Sequence, residues 1–267
     1  MIDPLLTATA IEGALLAGRI HRRYFRHPVS IAKKGITDLV TTADLEAERA
    51  FRDLIAARFP NHDVLGEEGA SADDPPRASH RWIVDPLDGT TNFAHGLALF
   101  SVSVALEVDG AVQVGVVFDP IGRELFVAER GGGARLNGLP IGVTGCDTLV
   151  DAVLATGFPY TVRDERRRQV DVFATFLEEA RAIRRLGSAA LDLCYVACGR
   201  FDGYWEEKLN AWDIAAGALI VAEAGGRVTG ISGQPFDPHA GHVVASGPLL
   251  HAAMVAGVTR GLRHRGE

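Results

Sequence analysis

"LFSVSVALEVDGAVQVGVVFDPIGRELFVAER", residues 99–130, holds three apolar-rich runs separated by two turn signals. Asp109-Gly110 between two such runs is a strong hairpin marker, because a tight turn matching strand twist needs positive φ at both central positions. "DPIG" at 119–122 supplies the second turn, and "GGGARLNG" at 131–138 reads as the next bend. This stretch is therefore an antiparallel meander. Upstream, Ile11, Leu15, Tyr24 and Phe25 recur near helical spacing, and Phe51, Leu54, Ile55 and Phe59 do so more cleanly. From about residue 148 the pattern alternates. "LVDAVLATGF", "AIRRLG", "FDGYWE" and "GHVVAS" read as strands, and 164–180, 188–199, 213–224 and 248–262 as helices. Such alternation implies a second sheet covered by helices. No linker, composition break or repeat separates the two patterns. The expectation is one α/β (α+β) unit over residues 1–267, with an N-terminal α+β half (1–145) and a C-terminal α/β half (146–267).

The net charge of −7 argues against a general nucleic-acid binder, which would present a dominant basic face. The basic clusters "HRRYFRH" (21–27) and "RDERRRQ" (163–169) fall in expected helices and read as solvated faces. Cys146, Cys194 and Cys198 are an odd number without metal-ligand company. Cys194 and Cys198, at i, i+4, read as small core residues, and a reducing compartment fits best. The first twenty residues are broken by Asp3, Pro4 and Glu12, so they suit neither a signal peptide nor a membrane span. A cytoplasmic address is expected.

Acidic residues carry the functional signal. In "RWIVDPLDGTTNFAHG" (81–96) a buried-strand pattern ends at Asp85, meets Pro86, and continues with Asp88, Gly89 and two threonines. Two acids so close repel unless cations or water lie between them. Gly89 permits close backbone approach, and a helix or turn opening at Thr90-Thr91 presents free N–H groups suited to an anion. "VLGEEG" places Glu67 and Glu68 after another apolar run, "TDLVTTADLEAERAF" puts Asp44 at a helix opening, and "NAWDIAAGALIVAEAGG" does the same for Asp213. Each has a plain alternative: a solvated turn, paired surface acids, or an acid complementing the helix dipole. All four alternatives would have to hold together. His95 reads as structural or loop-exposed.

With these residues assembled, the chain resembles the inositol monophosphatase family of magnesium-dependent, lithium-sensitive phosphatases from about Lys34 to Gly226. "WIVDPLDGTTNF", "WDIAAGALIVAEAGG" and "GEE" carry the likeness. The resemblance implies a layered α-β-α-β-α sandwich, usually a homodimer, that hydrolyses phosphate monoesters of small polyols. It implies that Glu67, Asp85 and the Leu87 carbonyl hold one Mg2+. Asp85, Asp88 and Asp213 hold a second, and Glu67 borders a weaker third. Thr90, supported by Asp44, orients or deprotonates the attacking water. The N–H groups of Gly89 and Thr90 receive the phosphate, with Asp88 and Asp213 beside it. Glu206 binds polyol hydroxyls, the backbone near Ala189 touches the ring, and Lys34 sits on a loop over the site. Hard oxygen ligands suit magnesium, whereas zinc would want His or Cys.

"DGTTNF" resembles the inositol phosphatase form; relatives directed at nucleotides or histidinol phosphate tend to carry a larger residue where Thr91 stands. Lys208, between Glu206 and Asp213, could accept a further phosphate and keeps fructose 1,6-bisphosphate as an alternative substrate. A regulatory protein that binds RNA or a transcription partner is the alternative from another class.

Overall fold

The computed structural model describes residues 2–27, 31–33, 39–68, 78–159 and 166–263. The chain opens with helix α1 (Pro4–Tyr24), a short antiparallel pair of β1 (Ile31–Lys33) and β2 (Leu39–Thr41), and helix α2 (Thr42–Arg58). A seven-stranded sheet follows in chain order: β3 (Asp63–Gly66), β4 (His80–Asp88), β5 (Ser101–Val108), β6 (Ala111–Asp119), β7 (Glu124–Glu129), β8 (Gly133–Leu136) and β9 (Leu139–Pro140). β3 runs parallel to β4 and the remaining neighbours are antiparallel. The short helix α3 (Thr90–Ala94) leaves the end of β4.

The second half contributes β10 (Val153–Thr156), α4 (Arg166–Glu179), β11 (Ala182–Arg184), α5 (Ala189–Ala197) and β12 (Gly203–Glu207). It closes with α6 (Ala211–Glu223), β13 (Arg227–Thr229), β14 (His242–Ser246) and α7 (His251–Arg263). Its five strands lie in the order β11-β10-β12-β14-β13. The first three are mutually parallel and β14 is antiparallel to both its neighbours.

Strand periodicity sorts the side chains into layers. Val102, Val104 and Leu106 of β5 pack with Leu6, Ala10, Ala14 and Ala17 of α1 and with Phe51 and Ile55 of α2. Ala105 points the other way, into a core with Leu193 and Cys194 of α5 and Ile214, Ala215 and Leu219 of α6. That same core takes Tyr204, Val243 and Ala245 from the second sheet, whereas Trp205 and Val244 face outward onto Phe176 of α4 and Met254 and Val258 of α7. The layers are thus α1/α2, sheet, α5/α6, sheet, α4/α7, the expected five-layer sandwich.

The Asp109-Gly110 turn has φ of 50° and 79°, as the hairpin signal requires. At "DPIG", the Asp119 carboxylate accepts from the N–H groups of Ile121 and Gly122, both at 2.8 Å, fixing the second turn. Several local expectations need correction. "GGGARLNG" contains strand β8 as well as a bend, and "LVDAVLATGF" opens with a 3-10 turn at Leu149–Asp151 before β10 begins. In "HRRYFRH", His21 is fully buried against Phe93 and Phe100 rather than solvated, while α1 ends at Tyr24. Within "RDERRRQ", Gln169 is buried, and 163–165 lie outside the described residues. Ile11 and Leu15 are only half-buried, since the core-facing stripe of α1 is built largely from alanines. Cys194 is buried, whereas Cys198 ends α5 half-exposed.

Candidate active site

β4 pairs regularly with β5 as far as Asp85, shifts register, and pairs again at Asp88. Pro86 has no N–H to give the ladder, so the irregularity falls where the sequence places it. The Asp85 carboxylate turns back to accept from Leu87 N at 2.8 Å. The next turn uses Gly89 at φ 97°, where a Cβ would sit 3.0 Å from the Leu99 carbonyl oxygen. Only glycine fits that conformation in that space. α3 starts immediately, bringing the Thr90 hydroxyl 3.0 Å from the Leu87 carbonyl and 3.0 Å from Asp44 Oδ1.

Asp44 and Asp213 each occupy the third position of a helix. Asp44 Oδ2 accepts from the backbone N–H and the hydroxyl of Thr41, at 2.9 and 2.5 Å, while the Thr41 hydroxyl accepts from Ala43 N. Asp213 Oδ2 accepts from Asn210 N at 2.7 Å. The helix-start explanation of both acids is therefore correct, and it leaves the second oxygen of each for other work.

A cleft of about 170 Å³ gathers most of the expected residues: Glu67, Asp85, Leu87, Asp88, Gly89, Thr90, Ala189, Glu206 and Asp213 all line it. Asp44 does not. It lies behind Thr90, buried, and accepts from the threonine hydroxyl. Lys34 falls outside the described residues. Asn210, which like Lys208 lies between Glu206 and Asp213 in the sequence, also lines the cleft, and two polar side chains there escape a sequence reading: Ser188 and Arg185. Ser188 holds Asp88. Its hydroxyl donates to Asp88 Oδ2 at 2.6 Å, and Ala190 N, in the first turn of α5, donates to the same oxygen at 2.8 Å. No local signal links positions 100 residues apart. Glu206 is held differently: the Tyr204 hydroxyl donates to its Oε2 at 2.5 Å.

Burial raises the pKa of Asp85 well above the carboxylate range, and the charges of Glu67, Asp88 and Asp213 raise it further. Asp213 is raised by burial and then by Asp88. Asp88 is pushed by burial to about 6, against the opposing hydrogen bonds from Ser188 and Ala190. Burial takes Glu206 to about 7 and Asp44 to about 6. Acids packed this closely in a buried cleft hold their charge when cations lie among them. The donor set is all oxygen, with no His or Cys on the cleft wall among the described residues, and so fits magnesium. Asp44, Glu67 and Glu68 additionally bring one oxygen each within 4.8 Å of one another.

The comparisons with known proteins agree with this geometry. The sequence profile described as the Inositol monophosphatase family matches residues 4–262. The chain is 45% identical over 256 residues to an inositol-1-monophosphatase of Rhizobium meliloti (strain 1021), covering 95% of this chain and 96% of that one. It is 42% identical over 251 residues to a Nus factor SuhB of Pasteurella multocida (strain Pm70), covering 93% of each. A crystal structure of the extragenic suppressor protein suhB from Bartonella henselae superposes with a TM-score of 0.90 at 37% identity, over 96% of this chain and 99% of that one. Acids, fold and full-length likeness converge: the chain belongs to the inositol monophosphatase family.

Proposed function

We propose that this protein is a magnesium-dependent phosphomonoesterase that hydrolyses inositol monophosphate to inositol and phosphate. One observation carries the reading: Glu67, Asp85, Asp88 and Asp213, from distant stretches of chain, line the same cleft as Thr90 and Glu206. Glu67, Asp85 and the Leu87 carbonyl would hold one Mg2+, and Asp85, Asp88 and Asp213 a second. Glu67 would also border a weaker third position, a reading supported by the nearby oxygens of Asp44 and Glu68. Bound magnesium supplies Lewis acidity toward water and the phosphoryl oxygens.

The chain's own residues do the rest. With its one hydrogen directed to Asp44 rather than to the equally near Leu87 carbonyl, the Thr90 hydroxyl keeps a lone pair that would accept a hydrogen bond from the attacking water. Asp44 is the proton's destination, reached through Thr90. The N–H groups of Gly89 and Thr90 steady the phosphoryl group. As the water oxygen bonds to phosphorus, the ester P–O bond breaks, and the leaving oxygen takes a proton from a second water of the open cleft to depart as the alcohol. Glu206, with Oε2 fixed by Tyr204, offers Oε1 to polyol hydroxyls, and Ala189 lies beside them. The contact between Asp88 of the first half and Ser188 of the second supports reading the chain as a single unit.

The test is phosphate release, with magnesium and with added lithium, from inositol 1-phosphate, fructose 1,6-bisphosphate, histidinol phosphate and 3′-phosphoadenosine 5′-phosphate. Turnover of inositol 1-phosphate, abolished in Asp88→Asn, is expected. Preference for the bisphosphate would move the assignment to the substrate that Lys208, on the cleft wall, also suits. The likeness to proteins named Nus factor SuhB supports a second reading, a transcription-associated role on the same fold. Salt-sensitive RNA binding without any turnover would favour it.

A further inference from the structure

One face of α2 points at the site three times. Asp44, Glu48 and Arg52 lie four residues apart, so their side chains rise one turn above another. Asp44 supports Thr90. Glu48, 3% exposed, does something else: its Oε2 accepts from the backbone N–H of Glu68 at 2.8 Å. Its Oε1 is paired with Arg52 Nε at 2.8 Å, and Arg52 in turn donates to the Val64 carbonyl at 3.1 Å. The Glu48 carboxylate lies so close to the main chain that a Cβ on Gly66 would come within 2.6 Å of it, which explains glycine there.

This clamp sits where the sheet stops helping. β3 is an edge strand whose one sheet neighbour is β4, and its last ladder partner is Gly66 opposite Val84. Glu67 is the next residue. Strand pairing fixes the backbone up to Gly66, and the Glu48 hydrogen bond fixes it again at Glu68, so Glu67 is held from both sides on the cleft wall that it shares with Asp85.

We propose that Glu48 is a positioning residue for the cation site: through Arg52 and the Glu68 N–H it holds the 66–68 backbone so that Glu67 faces Asp85. The inference rests on the assignment of Glu67 as a Mg2+ ligand. Side chains that orient a ligand, without touching the ion, commonly change metal affinity by about 10–100-fold when removed. Glu48→Ala should therefore raise the Mg2+ concentration for half-maximal activity at least about tenfold. At saturating Mg2+ it should leave kcat within a few-fold and the KM for inositol 1-phosphate unchanged.

The full chain is titrated with Mg2+ by calorimetry, and by phosphate release, for the parent, Glu48→Ala, Glu48→Gln, Glu67→Gln and the double variant Glu48→Ala/Glu67→Gln. Glu48→Gln keeps an acceptor for the Glu68 N–H and should recover most of the affinity; it also carries the test if Glu48→Ala does not fold. On the Glu67→Gln background, Glu48→Ala should add nothing. Parent-like Mg2+ affinity in the folded Glu48 variants, while Glu67→Gln weakens it, overturns the inference alone. A parent that binds no Mg2+ overturns the assignment of Glu67 and the inference with it.

Discussion

Ser188→Ala removes one hydroxyl that no substrate need touch, yet it should damage both stability and activity. Asp88 is buried, and its Oδ2 is satisfied by two donors, Ser188 Oγ at 2.6 Å and Ala190 N at 2.8 Å. A hydrogen bond to a charged group contributes about 1.5–3 kcal/mol, and the surviving Ala190 donor places the loss near the lower figure. The variant also loses the N-cap of α5. The Leu191 N–H is 3.4 Å from the hydroxyl, so this adds only a few tenths to the total, which comes to about 2 kcal/mol. Urea unfolding should report that decrease with an unchanged m-value. Phosphate release should show kcat/KM down about tenfold or more, because an Asp88 with one anchor samples rotamers that leave the cleft. Ser188→Thr keeps the hydroxyl and should recover most of both. A folded Ser188→Ala protein within about 0.5 kcal/mol of the parent and with parent-like kcat/KM would refute the claim that α5 orients Asp88.

Three further outcomes follow from the same geometry. Thr90→Val should lower kcat about 100-fold or more while Thr90→Ser stays within a few-fold, since the hydroxyl links the cleft to Asp44; equal losses in both would remove Thr90 from the proton path. Glu206→Gln should raise KM for inositol 1-phosphate about tenfold and leave p-nitrophenyl phosphate turnover unchanged, so a matching loss on both would mean that Glu206 reads no hydroxyls. His251 hydrogen-bonds Thr229 and Ser246, and burial lowers its pKa to about 4. Its folded pKa lies below the unfolded 6.5, so its contribution to stability is full above 6.5 and lost as pH falls from there toward 4. An NMR titration should find the ring neutral at pH 5.5, and a midpoint near 6.5 would contradict its burial.

Features set by neighbours in sequence are legible without coordinates. Asp109-Gly110, "DPIG", the Pro86 irregularity and the two acids at helix starts each depend on residues two or three positions apart. The two sheets and the helices that cover them follow from the same period-two and period-3.6 patterns, and the five-layer order from the family resemblance. What the sequence hides is of three kinds. α1 buries a stripe of alanines, which lets it lie close on β5 and β6 but gives a weak hydrophobic signal; its half-buried Ile11 and Leu15 give a stronger one. His21 looks like one more basic residue in a charged cluster until Phe93 and Phe100 close over it. The partners of the candidate-site acids are the third kind: Ser188 for Asp88, Tyr204 for Glu206 and Glu48 for the Glu67 segment are serine, tyrosine and glutamate in ordinary surroundings, and only the folded chain gives them work.

Four acids share one habit, each committing an oxygen to a donor supplied by the protein: Asp44 to Thr41, Asp85 to Leu87, Asp88 to Ser188 and Asp213 to Asn210. A hydrogen bond held at one carboxylate oxygen makes a two-toothed grip on an incoming ion less favourable. Calcium draws much of its affinity from double-toothed carboxylates and crowded, pliable shells, whereas magnesium is content with six well-spaced contacts, several of them water. On the proposed assignment, the same hydrogen bonds that shape the backbone would tilt the site toward the smaller ion before any ion arrives.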